Sequence, residues 1–134
     1  MAEIKVDILS PARKLTTTTC NELRVPSTTG QIGILPGHAG LLTEIGVGEL
    51  LVVSQKASQK LFVSGGFVEV KNDEVRVLVD IAEKPDEIDV ERAKKAQQRA
   101  EERLKKTADG DVDFVRAQAS LLRSIERQSV AGAL

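Results

Sequence analysis

The sequence predicts an α+β protein in two parts: an antiparallel β domain over residues 1–84 and an antiparallel helical hairpin over 85–134. Three observations carry this. Val, Ile and Thr supply 24 of the first 84 residues but only seven of the last 50, where Ala, Arg, Glu and Lys dominate. β-branched side chains fit a pleated sheet, whereas Ala and unbranched chains lose little entropy in a helix. Eight of the ten glycines also precede Pro85, as suits short strands joined by tight turns.

Residues 3–9 alternate, with Ile4, Val6 and Ile8 on one face and Lys5 and Asp7 on the other. This predicts a half-buried strand that ends at Ser10-Pro11. Leu15 to Val25 reads as one or two strands with a stop at Pro26. Residues 30–40 hold four glycines and a proline, so they read as short strand pieces and turns. Leu41–Ile45 and Val47–Ser54 are apolar and strand-like. Lys60–Ser64 and Phe67–Lys71 flank Gly65-Gly66. Asn72-Asp73 turns the chain into Val75, Val77, Val79 and Ile81, which alternate. Many short strands of this kind argue for an antiparallel sandwich or a flattened barrel.

Past Pro85, Asp86 and Asp89 are both suitable N-caps. Ala93, Ala96, Ala100 and Leu104 recur at helical steps, and Glu101–Lys105 and Glu102–Lys106 are spaced as i,i+4 pairs. Thr107-Ala108-Asp109-Gly110 breaks this helix. Asp111 or Asp113 caps a second, with Phe114, Ala117, Leu121 and Ile125 on one face and Val115, Ala119 and Leu122 beside it. Each helix has about 18 residues, or roughly 27 Å. The seam is thin, because Ala buries little apolar area. A hairpin of this kind is expected to dock marginally and to have more than one resting place.

Net charge is −1, and both halves are nearly balanced. That predicts no non-specific attraction to nucleic acid or anionic lipid. Three Phe with no Trp or Tyr disfavour recognition by stacking. One cysteine, Cys20, allows no intrachain disulfide and, with a single histidine, no common zinc cluster. A reducing compartment is expected. No apolar run approaches the roughly 20 residues that cross a bilayer. Any membrane role is expected through a partner, without direct insertion.

Gly30, Gly33, Gly37 and Gly40 lack the Lys-Ser/Thr pair of a P-loop and read as tight turns. His38, in that loop, has no local nucleophile beside it. Cys20 reads as a small buried hydrophobe. The arginines form a pattern. Arg92, Arg99 and Arg103 step by seven and four, and Arg116, Arg123 and Arg127 repeat those steps. Such spacing keeps side chains on one face. Two readings follow: solvated faces with local salt bridges, or guanidinium stripes that hold a polyphosphate or a carboxylate-rich protein surface.

Gly30-Gln31-Ile32-Gly33-Ile34-Leu35-Pro36-Gly37-His38-Ala39, then Leu41-Leu42-Thr43, then Phe62-Val63-Ser64-Gly65-Gly66-Phe67-Val68-Glu69-Val70, resembles the epsilon subunit of bacterial F-type ATP synthase. The helical half adds Glu87-Ile88-Asp89-Val90-Glu91-Arg92-Ala93. The resemblance covers essentially the whole chain; Gly40 departs from a proline often found there. It implies a β-sandwich of about ten strands with a C-terminal helical hairpin. It also implies a non-catalytic place on the central stalk, against the gamma subunit and the c-ring. The hairpin, when extended, would reach the alpha and beta subunits and inhibit ATP hydrolysis. The implied location is the cytoplasmic face of the bacterial plasma membrane, peripheral through the complex.

Ile88-Asp89-Val90-Glu91-Arg92-Ala93 also matches the Ile/Leu-Asp-x-x-Arg-Ala motif of Bacillus-type relatives, which bind ATP in the folded-down state. By that similarity Asp89, Arg92 and Ala93 lie at the nucleotide, Glu83 contacts the adenine end, and Arg99, Arg123 and Arg127 approach the phosphates. ATP would be a regulatory ligand; the resemblance leaves Mg²⁺ open. A ligand favours the state it binds by RT ln(1 + [L]/Kd), about 1.4 kcal/mol at ten times Kd. One alternative keeps the rotor role without an ATP site, the arginines serving only contacts to the catalytic head. Another, from a different class, is a stand-alone enzyme centred on His38.

Overall fold

The computed structural model describes residues 2–55, 57–106 and 112–134. The chain divides into two compact units, Met1–Lys84 and Pro85–Leu134. Among the described residues the first unit has eight strands: β1 (Ile4–Leu9), β2 (Lys14–Cys20), β3 (Glu22–Ser27), β4 (Gly30–Ile34), β5 (Leu41–Glu44), β6 (Val47–Val53), β7 (Ser58–Lys71) and β8 (Glu74–Glu83). They pair in the order β2-β1-β8-β7-β6-β3-β4, and β5 also lies on β7. All these pairs are antiparallel except β1 with β8.

The long strand β7 organises the rest. Leu41 of β5 lies opposite Val70 and Glu44 opposite Phe67; Val47 of β6 lies opposite Ser64 and Val53 opposite Ser58. Both strands therefore line one edge of β7 in a single register. Between them the Ile45 N–H donates to Gly66 O at 2.8 Å, and the Gly65 N–H donates to Gly46 O at 3.2 Å. On the other edge β8 follows β7 through the same point, with Ser64 opposite Ile81 and Gly66 opposite Val79.

That point is a glycine corner. Gly65 and Gly66 have φ of 77° and 119°, in the region that side chains avoid. A Cβ on Gly66 would lie 1.9 Å from Leu78 O and 2.8 Å from Val79 Cα. A Cβ on Gly46 would lie 3.0 Å from Ser27 O. The backbones approach so closely because no side chain separates them. β7 and β8 thereby pass from one layer of a sandwich to the other without losing register. One layer joins β2, β1, β5 and the halves of β8 and β7 around their shared turn. The other joins the remaining halves to β6, β3 and β4.

About ten strands were implied by the resemblance, and eight are found among the described residues. The difference is that β7 and β8 each run unbroken through both layers. The segments expected as separate strands at 60–64 and 67–71 are one strand, since positive-φ glycines bend a ladder without ending it. Pro26 does not stop β3, which runs one residue further. A proline needs only to lack an N–H in the ladder, and its carbonyl accepts from the Gly46 N–H at 2.9 Å. The β7–β8 turn is as expected: Asn72 and Asp73 have φ of 52° and 61°, the paired positive values of a type I′ hairpin.

One apolar core fills the sandwich, drawing Ile4, Val6 and Ile8 from β1, Val75 and Val77 from β8, and Leu23, Val25, Ile34 and Leu50 from β3, β4 and β6. Each such side chain contributes about 1.5–3 kcal/mol on burial. Ile81, expected to continue the alternation of Val75, Val77 and Val79, is instead exposed, because it lies beyond the corner.

The second unit opens with a 3-10 turn at Pro85–Glu87, followed by α1 (Val90–Lys106) and α2 (Val112–Val130). Of the two candidate caps, Asp89 serves: its Oδ1 accepts from the Arg92 N–H at 3.1 Å. Asp86 lies in the 3-10 turn and Asp113 inside the first turn of α2. Asp111 and the break at 107–110 lie outside the described residues. α2 ends in a Schellman motif that the sequence reading missed. The Ala133 N–H donates to Gln128 O at 2.8 Å, the Gly132 N–H donates to Ser129 O at 3.1 Å, and Gly132 has φ of 77°.

The helices pack against each other, and Gln128 Nε2 donates to Gln97 Oε1 across them at 2.7 Å. Ala93, Ala100, Ala117, Ser124 and Gln128 are buried, so small and polar residues take places that large apolar ones fill elsewhere. Val115 and Leu122 are exposed. Glu101 accepts from Gln97 at 2.9 Å rather than pairing with Lys105.

Gly66→Ala is expected to cost about 3 kcal/mol or more through clash and forbidden φ together. Gly33→Ala, whose Cβ would meet only the Glu22 carboxylate at 3.5 Å, should change stability by less than about 0.5 kcal/mol. Urea unfolding midpoints of the two variants check this; equal midpoints would contradict the corner.

Candidate functional site

Helix α1 presents an open groove of about 520 Å³ lined by Asp89, Glu91, Arg92, Lys95, Gln98, Arg99 and Glu102. Its floor is helical because Asp89 caps the first turn, and steps of three and four residues bring Arg92, Lys95 and Arg99 to one side. Among the described residues no salt bridge engages these three cations. Lys94 does pair, with Glu91 at 3.8 Å. The groove thus holds exposed guanidinium and ammonium groups whose hydrogen-bonding capacity is turned to solvent. Such groups suit phosphate oxygens.

The sequence-derived site residues separate into sets. Asp89, Arg92 and Arg99 line the groove together. Ala93 lies on α1 but is only 4% exposed, so its methyl group is buried. Arg123 and Arg127 are half-buried on α2 and do not line the groove; Arg127 has a partner of its own. Glu83 ends β8 in the other unit, is half-buried and is also engaged. Asp89 has a structural task as N-cap whatever else it does. Lys95 and Gln98 were missed by a reading that followed arginines alone. The signal was the helical spacing: Lys95 follows Arg92 by three residues, and Gln98 follows Lys95 by three.

His38 has no acid–base partner within reach in the described structure. Its Nδ1 lies 2.7 Å from Ala39 O, which fixes the ring against its own loop. Cys20 is buried, and burial pushes its thiol pKa up, away from a nucleophilic thiolate. Among the described residues no group of three His, Cys, Asp or Glu gathers to hold a metal ion, and no helix is long and apolar enough to cross a membrane.

The sandwich carries a second feature. Leu9, Leu78 and Phe67 are successive cross-strand partners on one row. Leu78 is 48% and Phe67 53% exposed, so their apolar surface faces outward. They line a hollow of about 410 Å³ with Pro11, Glu44 and Asp80. The run Val77-Leu78-Val79 was the available signal: apolar residues on both faces of a strand leave one set outside the core.

Comparison with known proteins decides the family. The β-sandwich domain of the ATP synthase delta/epsilon chain matches residues 3–85, and the long α-helix domain of the same chain matches 86–132. An ATP synthase epsilon chain of Geotalea daltonii is 44% identical over 133 residues, covering 98% of this chain and 96% of the relative.

The chain belongs to the ATP synthase epsilon-chain family.

A second member of the family, from Halalkalibacterium halodurans, is 39% identical over 132 residues, covering 98% of this chain and 99% of its own length. A chain in the cryo-EM structure of Euglena gracilis mitochondrial ATP synthase in rotational state 1 superposes with a TM-score of 0.84 at 20% identity, over 96% of this chain and 81% of that one. A chain from the central stalk and c-ring of Tetrahymena thermophila mitochondrial ATP synthase gives 0.65 at 11% identity, over 96% of both. These last two show a shared fold.

The double duty of Asp89 is separable. Asn caps as well as Asp, so Asp89→Asn should leave the hairpin's stability nearly unchanged, whereas Asp89→Ala should cost about 1 kcal/mol. Thermal unfolding followed by helix circular dichroism reports the cap. A stability loss in Asp89→Asn equal to that in Asp89→Ala would show that charge, not capping, is what α1 needs.

Proposed function

We propose that this chain is a non-catalytic rotor subunit of a proton-translocating F-type ATP synthase, and that its helical hairpin binds ATP and regulates hydrolysis. The observation that carries the regulatory part is the α1 groove, where Arg92 and Arg99 have no salt bridge among the described residues and stand beside the capping Asp89. Bound ATP would favour the folded-down hairpin, and its loss would free the hairpin to extend toward the alpha and beta subunits. Ala93, Arg123 and Arg127 are added to the proposed site by the resemblance to Bacillus-type relatives.

The coupling part draws on the outward row of Leu9, Phe67 and Leu78. An exposed apolar row suits burial against another protein, here the gamma subunit, with the c-ring as the second neighbour. The relatives at 44% and 39% identity support the rotor role, as does the Tetrahymena assembly in which the similar chain belongs to the central stalk and c-ring. The proposed location is the cytoplasmic face of the bacterial plasma membrane, held there by the complex.

Calorimetric titration of the isolated chain should show saturable ATP binding. Arg92→Ala combined with Arg99→Ala should weaken it by at least about tenfold, as loss of two charge-assisted contacts implies. Equal affinity in both proteins would refute the site.

One observation favours a second reading, in which the arginines make only protein contacts. Val115 and Leu122 are 58% and 45% exposed on α2 and lie seven residues apart on one helical face, with Arg116 and Arg123 each one position further on. That surface mixes apolar and cationic groups, as a protein-binding face does. It predicts no saturable ATP binding by the isolated chain. Both readings predict that deleting residues 86–134 relieves inhibition of hydrolysis in the reconstituted enzyme. A truncated subunit that inhibits as well as the full chain would exclude a regulatory hairpin altogether.

A further inference from the structure

We propose that Lys95 is a third phosphate-holding cation of the α1 groove, seated between Arg92 and Arg99; this rests on the ATP reading above. Steps of three and then four residues carry the helix from Arg92 to Lys95 to Arg99, and all three line the same groove. The row spans about 10 Å along the axis. None of the three is engaged by a salt bridge among the described residues. The flanking residues are engaged elsewhere: Lys94 pairs with Glu91, and Gln97 bonds both Glu101 and Gln128.

The arrangement is selective for a linear polyanion. Three cations in file match a chain of phosphates better than a single carboxylate, which one guanidinium satisfies. Three carboxylates also line the groove: Asp89 and Glu91 at one end of the row and Glu102 at the other, Glu91 being drawn to Lys94 at 3.8 Å. Their negative charges disfavour a polyanion that overruns it, so the phosphates are confined to the stretch that Lys95 centres. Lysine supplies a mobile point charge with three donors rather than a planar fork. It therefore follows the phosphate chain instead of fixing one group. Lys95 thus reads the di- and triphosphate as such, and contributes little to recognition of the nucleoside.

The test is titration of the full chain with ATP, ADP and AMP, using Lys95→Gln, Lys95→Arg and Arg92→Ala. Gln and Lys have similar helix propensity, so the hairpin is expected to keep its fold. Lys95→Gln should weaken ATP and ADP about fivefold, the scale of one exposed charge pair, and leave AMP unchanged. Lys95→Arg should restore the loss. If Arg92→Ala weakens ATP but Lys95→Gln does not, the assignment of Lys95 is wrong while the nucleotide site stands. If Lys95→Gln weakens AMP equally, Lys95 does not read the phosphate chain. If the unaltered chain binds no ATP, the nucleotide reading falls and this one with it.

Discussion

The close passage of three backbones at the glycine corner is the constraint on which the sandwich depends. Gly46, Gly65 and Gly66 bring the β5–β6 junction, β7 and β8 together, and at Gly66 a Cβ would overlap the Leu78 carbonyl at 1.9 Å. Because the strands bend there instead of ending, β7 is hydrogen-bonded along its length and supplies buried valines to the core from both halves, Val63 on one side and Val68 on the other. The same continuity fixes register throughout. A slip of one residue would turn every buried valine of β7 and β8 outward, and the corner glycines would no longer coincide.

This rigidity has a consequence for the outer surface. Alternation along a pleated strand means that once Val77 and Val79 face the core, Leu78 must face away. Its partners Phe67 and Leu9 are then drawn onto the same outward row by the ladder. The apolar hollow is therefore set by the core rather than independent of it. A subunit meant to bury that row against another protein gains an interface whose shape is fixed before contact, which lowers the ordering cost of association.

The helical unit is built on the opposite principle. Its buried residues include Ala93, Ala100, Ala117, Ser124 and Gln128, each of which contributes less on burial than the valines and isoleucines of the sandwich. What it has instead are local devices: the Asp89 cap, the Schellman ending and the Gln97–Gln128 bond. These hold helices as helices and depend little on a large core. A ligand worth only a little free energy can then bias the conformation of such an element, whereas it would hardly move a firmly packed one. The nucleotide proposed to bind along α1 would supply that energy.

The sequence by itself determined the two-part division, the strand–turn pattern, the Asn72-Asp73 hairpin, the placing of Arg92 and Arg99 on one side of α1 and, through its long matching segments, the family. These are local or compositional properties, set by side-chain branching, turn chemistry and helical periodicity, and they do not require knowing what lies opposite. Tertiary structure alone decided the rest. That 60–64 and 67–71 are one strand depends on the pairing of Gly65 and Gly66 with Gly46 and β8, which no local signal records. That Ile81 is exposed while Val79 is buried depends on the bend beyond the corner. That Asp89 rather than Asp86 caps α1, that Glu101 takes Gln97 over Lys105, and that Lys95 joins Arg92 and Arg99 in one groove are competitions between near-equal local options. Each is settled by small differences in geometry and free energy that appear only when the chain is folded.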